Sequence, residues 1–297
     1  MSAEIFETYT SKPSALKFMC RALMASPGLG ADGSTPSIAM RWGGLRIEEA
    51  QVSAFNAATG LGKAGEVSIL YPHVVGFRLQ MALLTHRAFP LPIWGALQIR
   101  NQLSQLEPLR VGESFDLEAR IASHRTTEKG IEIDLSSRLM QGSTCRWQSL
   151  VTYYYRGRFG GAQTQNHIAA VPDLAGADTV GRLVMPRDGR WQFQRLTGDY
   201  NGIHSINLYA RMHGFRTAIL HPQRSAGLCL SQLRSVTTPQ QTLALWIKGP
   251  VAYGAVVTLR ARDDGRATLF GLTTEGETRP ALVGRWTEGA EAFGKAE

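Results

Sequence analysis

Two stretches that begin around a proline decide the fold: "YPHVVGFRLQMALL" (residues 71–84) and "HPQRSAGLCLSQL" (residues 221–233). Each proline, Pro72 and Pro222, stands where the first turn of a helix tolerates it, and apolar residues follow. The first stretch predicts a largely apolar helix over residues 71–89. The similarity of the two stretches indicates that the second half of the chain repeats the first.

Alternating polar and apolar segments follow both predicted helices, as in antiparallel strands. Two further pairs repeat in the same order: "PLRVGESFDLEAR" (108–120) with "PVAYGAVVTLRAR" (250–262), and "MQGSTCRWQSLV" (140–151) with "TEGETRPALVGR" (274–285). One helix wrapped by an antiparallel sheet is the hot-dog architecture. We therefore predict an α+β double hot-dog fold, with two long central helices and antiparallel sheets. The predicted domains are 1–160 and 181–297, joined by a Gly/Ala/Gln-rich linker at 161–180.

Composition sets broad limits on function. The chain has 297 residues, of which 43% are hydrophobic and 19% charged, with a formal net charge of +8. No apolar run reaches the roughly 20 residues that span a bilayer, and the first residues lack a secretory pattern. The three cysteines form no CxxC pair or even set, which favours the cytoplasm. The basic residues are dispersed, so we expect no nucleic-acid partner and no membrane insertion.

The stretch "LTGDYNGIH" (residues 196–204) places Asp199 and His204 in one glycine-flanked loop. Five residues of separation do not put two side chains on one helix face, but Gly198 and Gly202 indicate a tight loop that can bring them together. Asn201 suits a hydrogen bond within such a loop. On these residues alone, an acid/base pair and ordinary loop bracing fit about equally.

The longer string resembles the hydratase-2 motif of the MaoC-like family, which runs aromatic, Ser/Thr-Gly-Asp-x-Asn-Pro-aliphatic-His, then a small residue. Its matching positions here are Phe193, Thr197, Gly198, Asp199, Asn201, Ile203, His204 and Ala210. The following "GFRTAILH" and the N-terminal strings "YPHVVGFRLQMALLTHRAFPLPIWG" and "IRNQLSQLEPLRVGE" are also similar to double hot-dog 3-hydroxyacyl dehydratases. The resemblance covers about residues 40–290.

The resemblance implies (R)-specific hydration of trans-2-enoyl thioesters, or dehydration of (R)-3-hydroxyacyl thioesters, by a hydro-lyase of fatty acid or related acyl metabolism. Asp199 and His204 would be catalytic and hold one water, with Gly198, Asn201 and Gly202 supporting the loop. It implies no metal and no other cofactor. The partner would be a CoA or acyl carrier protein thioester, and a homodimer is possible.

The chain departs from the family pattern at three positions. Leu61 follows Thr59-Gly60 in the N-terminal repeat, where Asp199 follows Thr197-Gly198, so one active site per chain is expected. Gly202 replaces a proline, and Pro222 replaces a glycine whose N–H serves the thioester carbonyl in the family. Proline has no N–H, so Gln223 becomes the oxyanion candidate, through its backbone N–H or its side-chain amide.

Three readings of the site remain open. The first is the hydratase, and the second is an acyl-thioester binding protein without catalysis, which Pro222 favours. The third is a hot-dog thioesterase. His221 is interpreted as a packing or capping residue without a catalytic role.

Overall fold

A computed structural model describes residues 4–30, 33–62, 66–160, 171–233 and 238–290. Six α-helices lie in these ranges: α1 (Ala15–Arg21), α2 (Glu49–Thr59), α3 (Tyr71–Leu84), α4 (Arg190–Thr197), α5 (Asn207–Met212) and α6 (Pro222–Leu230). The strands of the N-terminal half are β1 (Ile5–Tyr9), β2 (Ile38–Arg46), β3 (Leu97–Gln105), β4 (Ser114–Thr127), β5 (Gly130–Gln141) and β6 (Thr144–Arg156). Those of the C-terminal half are β7 (Asp178–Val184), β8 (Gln241–Ile247), β9 (Val256–Asp263), β10 (Ala267–Thr274) and β11 (Leu282–Glu288).

Both predicted proline-led helices form, with proline in the first turn. Helix α3 is buried around almost its whole circumference, as its uniformly apolar sequence requires. It ends at Leu84, short of the predicted end at residue 89, because the chain turns there: the Phe89 N–H donates to the His86 carbonyl. Helix α6 has only 9 residues, so the expectation of two long central helices holds for α3 alone.

The strands form one continuous sheet in the order β1-β2-β4-β5-β6-β3-β8-β11-β10-β9-β7. Strands β3 and β8 are antiparallel and join the two halves, with Asn101 opposite Leu245. Antiparallel sheets were expected, and the structure differs from this expectation in two respects. The sheet is continuous, and β1 pairs with β2 in parallel.

Helices from the two halves of the chain also pack against each other. Helix α4, from the second half, packs on α3, from the first, and α2 packs on α6. Buried Arg78 of α3 donates to the Arg195 carbonyl of α4 at 2.9 Å, and Arg224 of α6 donates to the Ala58 carbonyl of α2 at 3.2 Å. Each central helix thus satisfies a carbonyl at the end of the short helix from the other half, and the loop after that short helix is held between the halves.

The first ten residues of the predicted linker, 161–170, lie outside the described residues. None of the helices in the described ranges has the length and apolar character needed to cross a membrane. All three cysteines, Cys20, Cys145 and Cys229, are unpaired.

Candidate active site

Asp199 is positioned by the end of helix α4. Gly198 adopts a left-handed conformation with φ 77° and closes the helix by donating its N–H to the Gln194 carbonyl. The Thr197 hydroxyl donates to the Phe193 carbonyl and accepts from the Asp199 N–H at 2.9 Å. The threonine and the glycine therefore turn the chain sharply and fix the backbone from which the Asp199 carboxylate projects.

Two imidazoles converge at this carboxylate. The Asp199 Oδ2 lies 3.6 Å from His204 Nε2 and 3.3 Å from His221 Nε2. The two imidazole centroids are 5.1 Å apart. Asp199 is 9% exposed, His204 8% and His221 6%, so the cluster sits in a nearly dry environment. The predicted pair is thus brought together, and His221, which sequence reasoning placed outside the chemistry, contacts the same carboxylate oxygen.

The hydrogen bonds define the tautomer of His204. Its Nδ1 lies 3.0 Å from the Ile219 carbonyl oxygen, and a carbonyl oxygen only accepts, so the Nδ1 atom carries the hydrogen. In the neutral ring the Nε2 atom is then bare and faces Asp199. The other carboxylate oxygen of Asp199, Oδ1, accepts from the Asn201 N–H at 3.0 Å. A bare imidazole nitrogen beside a carboxylate oxygen can bind both hydrogens of one water molecule.

Burial and electrostatic interactions shift the pKa values of Asp199 and His204 in opposite directions. Burial raises the pKa of Asp199, but the hydrogen bond from His221 and the attraction of the two imidazoles when they are protonated outweigh it and leave the pKa below its ordinary value. Burial lowers the pKa of His204; Asp199 opposes this effect, and the net pKa stays below the ordinary value. At neutral pH the carboxyl is therefore ionised and His204 is neutral, which is the form that a general base requires.

The supporting residues predicted for the loop each have a structural contact. The Asn201 side-chain oxygen accepts from the Ile203 N–H at 3.2 Å, and the Asn201 backbone carbonyl accepts from the side-chain amide of Gln194. A Cβ at Gly202 would lie 2.7 Å from the ring of Tyr209. The Tyr209 ring therefore fills the space that the family's proline would need.

Gln223 does not present its side chain to the site in the predicted way. Its Nε2 lies 2.6 Å from His73 Nε2 and 2.9 Å from Gln98 Oε1. A primary amide has two hydrogens, and both are used by these two buried partners. Of the two donors proposed for this residue, only the backbone N–H remains.

The cluster opens onto a cavity of about 420 Å³. Its wall is mainly apolar and comes from both halves of the chain, and α3 contributes Phe77, Met81 and Leu84. These three residues follow one face of the helix over seven positions, or about 10 Å. Gln98 and Tyr153 add polar groups to the wall that Asp199 also lines. Such a cavity, mainly apolar with a few polar groups in its wall, suits a chain with a reactive head group.

Asp199, His204 and His221 also form a group that could hold a metal ion, since their ligand atoms lie within 4.8 Å of one another. Two imidazoles and one carboxylate are ligands that zinc accepts. However, the Asp199 oxygens already accept from His221 and from the Asn201 N–H. The donor set fits a metal ion, and the hydrogen bonds offer an alternative way to satisfy the same atoms.

Sequence reasoning missed His221, Gln98 and Tyr153. His221 had a signal, because it directly precedes the proline that begins α6, at the helix end nearest the site. Gln98 and Tyr153 lie opposite each other on β3 and β6. Nothing in their local sequence separates them from other strand residues, since it is the pairing of distant segments that brings them to Asp199.

No family model matches the chain. A curated relative, 3-hydroxyacyl-thioester dehydratase X of Mycobacterium tuberculosis, is 26% identical over 227 residues, which are 76% of this chain and 80% of the relative. The crystal structure of HtdX from the same organism has a TM-score of 0.71 at 21% identity, covering 84% of this chain and 98% of that one. A MaoC-like dehydratase from Phytophthora capsici has a TM-score of 0.72 at 16% identity, covering 91% and 100%.

The structural similarities at these identities establish the fold, and the sequence similarity to the curated dehydratase extends over most of both chains. They confirm the resemblance drawn from the loop motif and the assignment to an enzyme class. The chain has a hot-dog fold, and it is similar in sequence and in structure to dehydratases of the MaoC-like kind.

Proposed function

We propose that this protein catalyses (R)-specific hydration of trans-2-enoyl thioesters and the reverse dehydration of (R)-3-hydroxyacyl thioesters. The observation that carries the proposal is the bare Nε2 of neutral His204, 3.6 Å from the ionised Asp199 Oδ2, in the wall of a mainly apolar cavity. The dehydratase name of the curated relative supports the same reaction. The substrate would be a CoA or acyl carrier protein thioester.

In the hydration direction, Asp199 Oδ2 and His204 Nε2 each accept one hydrogen of a water molecule. His204 removes a proton as the water oxygen bonds to Cβ, and the electrons of the double bond move toward the thioester carbonyl. The imidazolium, stabilised by Asp199, then returns the proton to Cα on the same face. Water is added without any other reactant, and general acid–base catalysis of this kind contributes about 10²–10⁴-fold.

His221 has a supporting role in this scheme. Its Nε2 donates to Asp199 Oδ2 at 3.3 Å, which keeps the carboxylate ionised and oriented. The cavity along Phe77, Met81 and Leu84 would hold the acyl chain. Because the apolar stripe extends about 10 Å, enoyl thioesters longer than crotonyl are expected to be the better substrates.

The domain arrangement belongs to the same proposal. Residues 1–160 and 181–297 would act as two hot-dog domains joined by 161–180. The second domain supplies the Asp199 loop, and the first supplies α3 and β3 to the cavity wall. A double hot-dog protein of Mycobacterium tuberculosis aligns over 87% of this chain with a TM-score of 0.57, which supports this arrangement.

The test is hydration of an enoyl-CoA series from crotonyl to hexadecenoyl, followed by loss of enoyl absorbance and by chiral analysis of the 3-hydroxyacyl product. We expect turnover with (R) product, and loss of turnover in Asp199→Asn, which keeps the shape and removes the charge. Wild-type activity in Asp199→Asn would refute the mechanism.

A second candidate is an acyl-thioester binding protein without catalysis. Pro222, which lines the cavity without an N–H, is the observation that favours it. It predicts saturable acyl-CoA binding and no change in any substrate of the series. Release of free CoA thiol from acyl-CoA would instead indicate a thioesterase.

A further inference from the structure

The proposed reaction requires a hydrogen-bond donor to the thioester carbonyl, where negative charge develops. Helix α6 begins with Pro222 at the cavity wall, and proline supplies no N–H at this position. The carboxamide of Gln223 is already used by His73 and Gln98. The backbone N–H of Gln223 remains at the start of α6, but Gln223 is not among the described residues that line the cavity, so the carbonyl requires a donor from another part of the cavity wall.

We propose that the side-chain amide of Gln98 supplies this hydrogen bond, in place of the amide that Pro222 lacks. The inference rests on the proposed function and names a further catalytic residue for it, from the N-terminal half of the chain. Gln98 lines the same cavity as Asp199, His204 and Pro222.

The strand geometry presents Gln98 to the cavity. Strand β3 has a register shift against β6 between Gln98 and Arg100. In a regular strand neighbouring side chains point to opposite faces, whereas both Gln98 and Ile99 line the cavity. Bulges of this kind redirect side chains and are frequent beside active sites.

The hydrogen bonds of Gln98 orient its two ends. Its Oε1 accepts from Gln223 Nε2 at 2.9 Å, so its own NH₂ group is turned away from Gln223. One hydrogen reaches only weakly toward the Tyr153 hydroxyl, at 3.5 Å. The second has no protein partner among the described residues, and it is the donor that we assign to the carbonyl oxygen.

The surrounding contacts hold this amide in place before substrate binds. The Tyr153 hydroxyl donates to Gln80 Oε1 at 2.9 Å, and Gln223 is fixed by His73 on its other side. All three neighbours are at least 97% buried, as the exposures of 3% for Tyr153, 1% for His73 and 0% for Gln223 show. A donor that is already held in place stabilises developing charge without reorganisation. Gln223, predicted as the donor, becomes the positioning residue for Gln98.

The first experiment removes the donor and keeps the shape. Gln98→Met is expected to lower kcat about 10²–10³-fold, the usual effect of losing one oxyanion donor, with a smaller change in KM. Gln102→Met is the matched control, since Gln102 lies on the same strand and its substitution should leave kcat unchanged. Circular dichroism and thermal unfolding of both variants verify folding.

The second experiment restores the missing backbone donor. In a Pro222→Gly background, Gln98→Met is expected to lower kcat less than about tenfold, because the new backbone N–H donates to the thioester carbonyl. The effects of two residues that perform the same function are non-additive in this way. An equal loss in both backgrounds, or a Gln98→Met variant within threefold of wild type, would overturn the proposal.

A spectroscopic readout separates this inference from the proposed function. Infrared difference spectra of acyl-CoA with an isotopically labelled thioester carbonyl, bound to Asp199→Asn, report the hydrogen bond without turnover. Addition of Gln98→Met should shift the carbonyl band to higher frequency, and Gln102→Met should not. If wild type binds acyl-CoA but turns over no substrate, this shift still supports the Gln98 contact; an unshifted band refutes it.

Discussion

The loop after helix α2 and the loop after helix α4 share a backbone and differ in chemistry. Gly60 and Gly198 both close their helices with positive φ, at 68° and 77°. The Thr59 hydroxyl donates to the Phe55 carbonyl and accepts from the Leu61 N–H, as Thr197 does with Phe193 and Asp199. The repeat thus preserves the turn, and the residue after the glycine determines whether the turn carries a carboxylate.

The side chains around the two loops also differ in polarity, as the residues after the two glycines do. Tyr71 precedes Pro72 where His221 precedes Pro222, and the Tyr71 ring packs on Phe55 with centroids 5.8 Å apart. Leu61 lies close to α6, since a Cβ at Gly227 would stand 3.4 Å from it. The N-terminal loop is therefore packed with apolar groups, and the C-terminal loop opens to the cavity. The same backbone turn therefore carries a packed leucine in one half and a carboxylate at the cavity in the other.

Exchanging the two loop residues should have the largest effect. Asp199→Leu is expected to lower kcat roughly 10³-fold, within the range for acid–base groups. The reciprocal Leu61→Asp should create no activity, because no imidazole accompanies it, and should lower the free energy of unfolding by about 1–3 kcal/mol through a partly buried carboxylate without a partner. Activity assays and urea unfolding measure both. Turnover in the double exchange would show that the N-terminal loop is a second competent site.

Substitution of the two glycines should separate strain from catalysis. Gly60→Ala and Gly198→Ala each force alanine into a left-handed conformation, at a cost of about 1–2 kcal/mol. A Cβ at residue 198 would also lie 2.8 Å from the Arg78 guanidinium, whereas at residue 60 it meets the Ser231 side chain at 3.2 Å. Only Gly198→Ala displaces the carboxylate, so kcat should fall about 10–100-fold in it alone. Equal activity of the two variants would contradict the assignment of the C-terminal loop.

The difference between these loops was visible in the sequence, because a repeated Thr-Gly followed by Leu61 or Asp199 is a local pattern. The proline-led helices were visible for the same reason. The joined sheet was not, since the pairing of β3 with β8 links residues far apart in the chain. The contact of His221 with Asp199 was also hidden. The position of His221 directly before Pro222 places it at the start of α6, but the sequence does not show that this end of the helix reaches Asp199.

The pseudo-equivalent pair His73 and Gln223 allows a pH test of the two halves. Burial lowers the pKa of His73 to about 3, from 6.5. The unfolded chain therefore binds a proton below pH 6.5 that the folded chain refuses, and stability is lost as the pH falls from 6.5 toward 3. His73→Gln, which copies Gln223, should remove about 2 kcal/mol of the loss between pH 7 and pH 5.

Urea unfolding at the two pH values provides the measurement, and His204, whose pKa is also lowered, leaves a residual slope of the same sign in both proteins. The pKa of Asp199 lies below 3.8, so its titration falls outside this window. A variant with the same acid sensitivity as wild type would show that His73 accepts its proton in the folded state.

Removal of metal ions should have the smallest effect, and it tests the last difference between the loops. Within the part of the chain that the structure describes, the two imidazoles and the carboxylate that can hold an ion lie at the C-terminal loop. Because His221 and the Asn201 N–H already satisfy Asp199, we expect unchanged kcat after dialysis against a chelator and negligible metal by elemental analysis. Excess Zn²⁺ should inhibit, since it would occupy the bare His204 nitrogen that binds water in the proposed mechanism. Loss of activity on chelation with recovery on Zn²⁺ addition would replace the acid–base scheme by a metal-activated water at the same three residues.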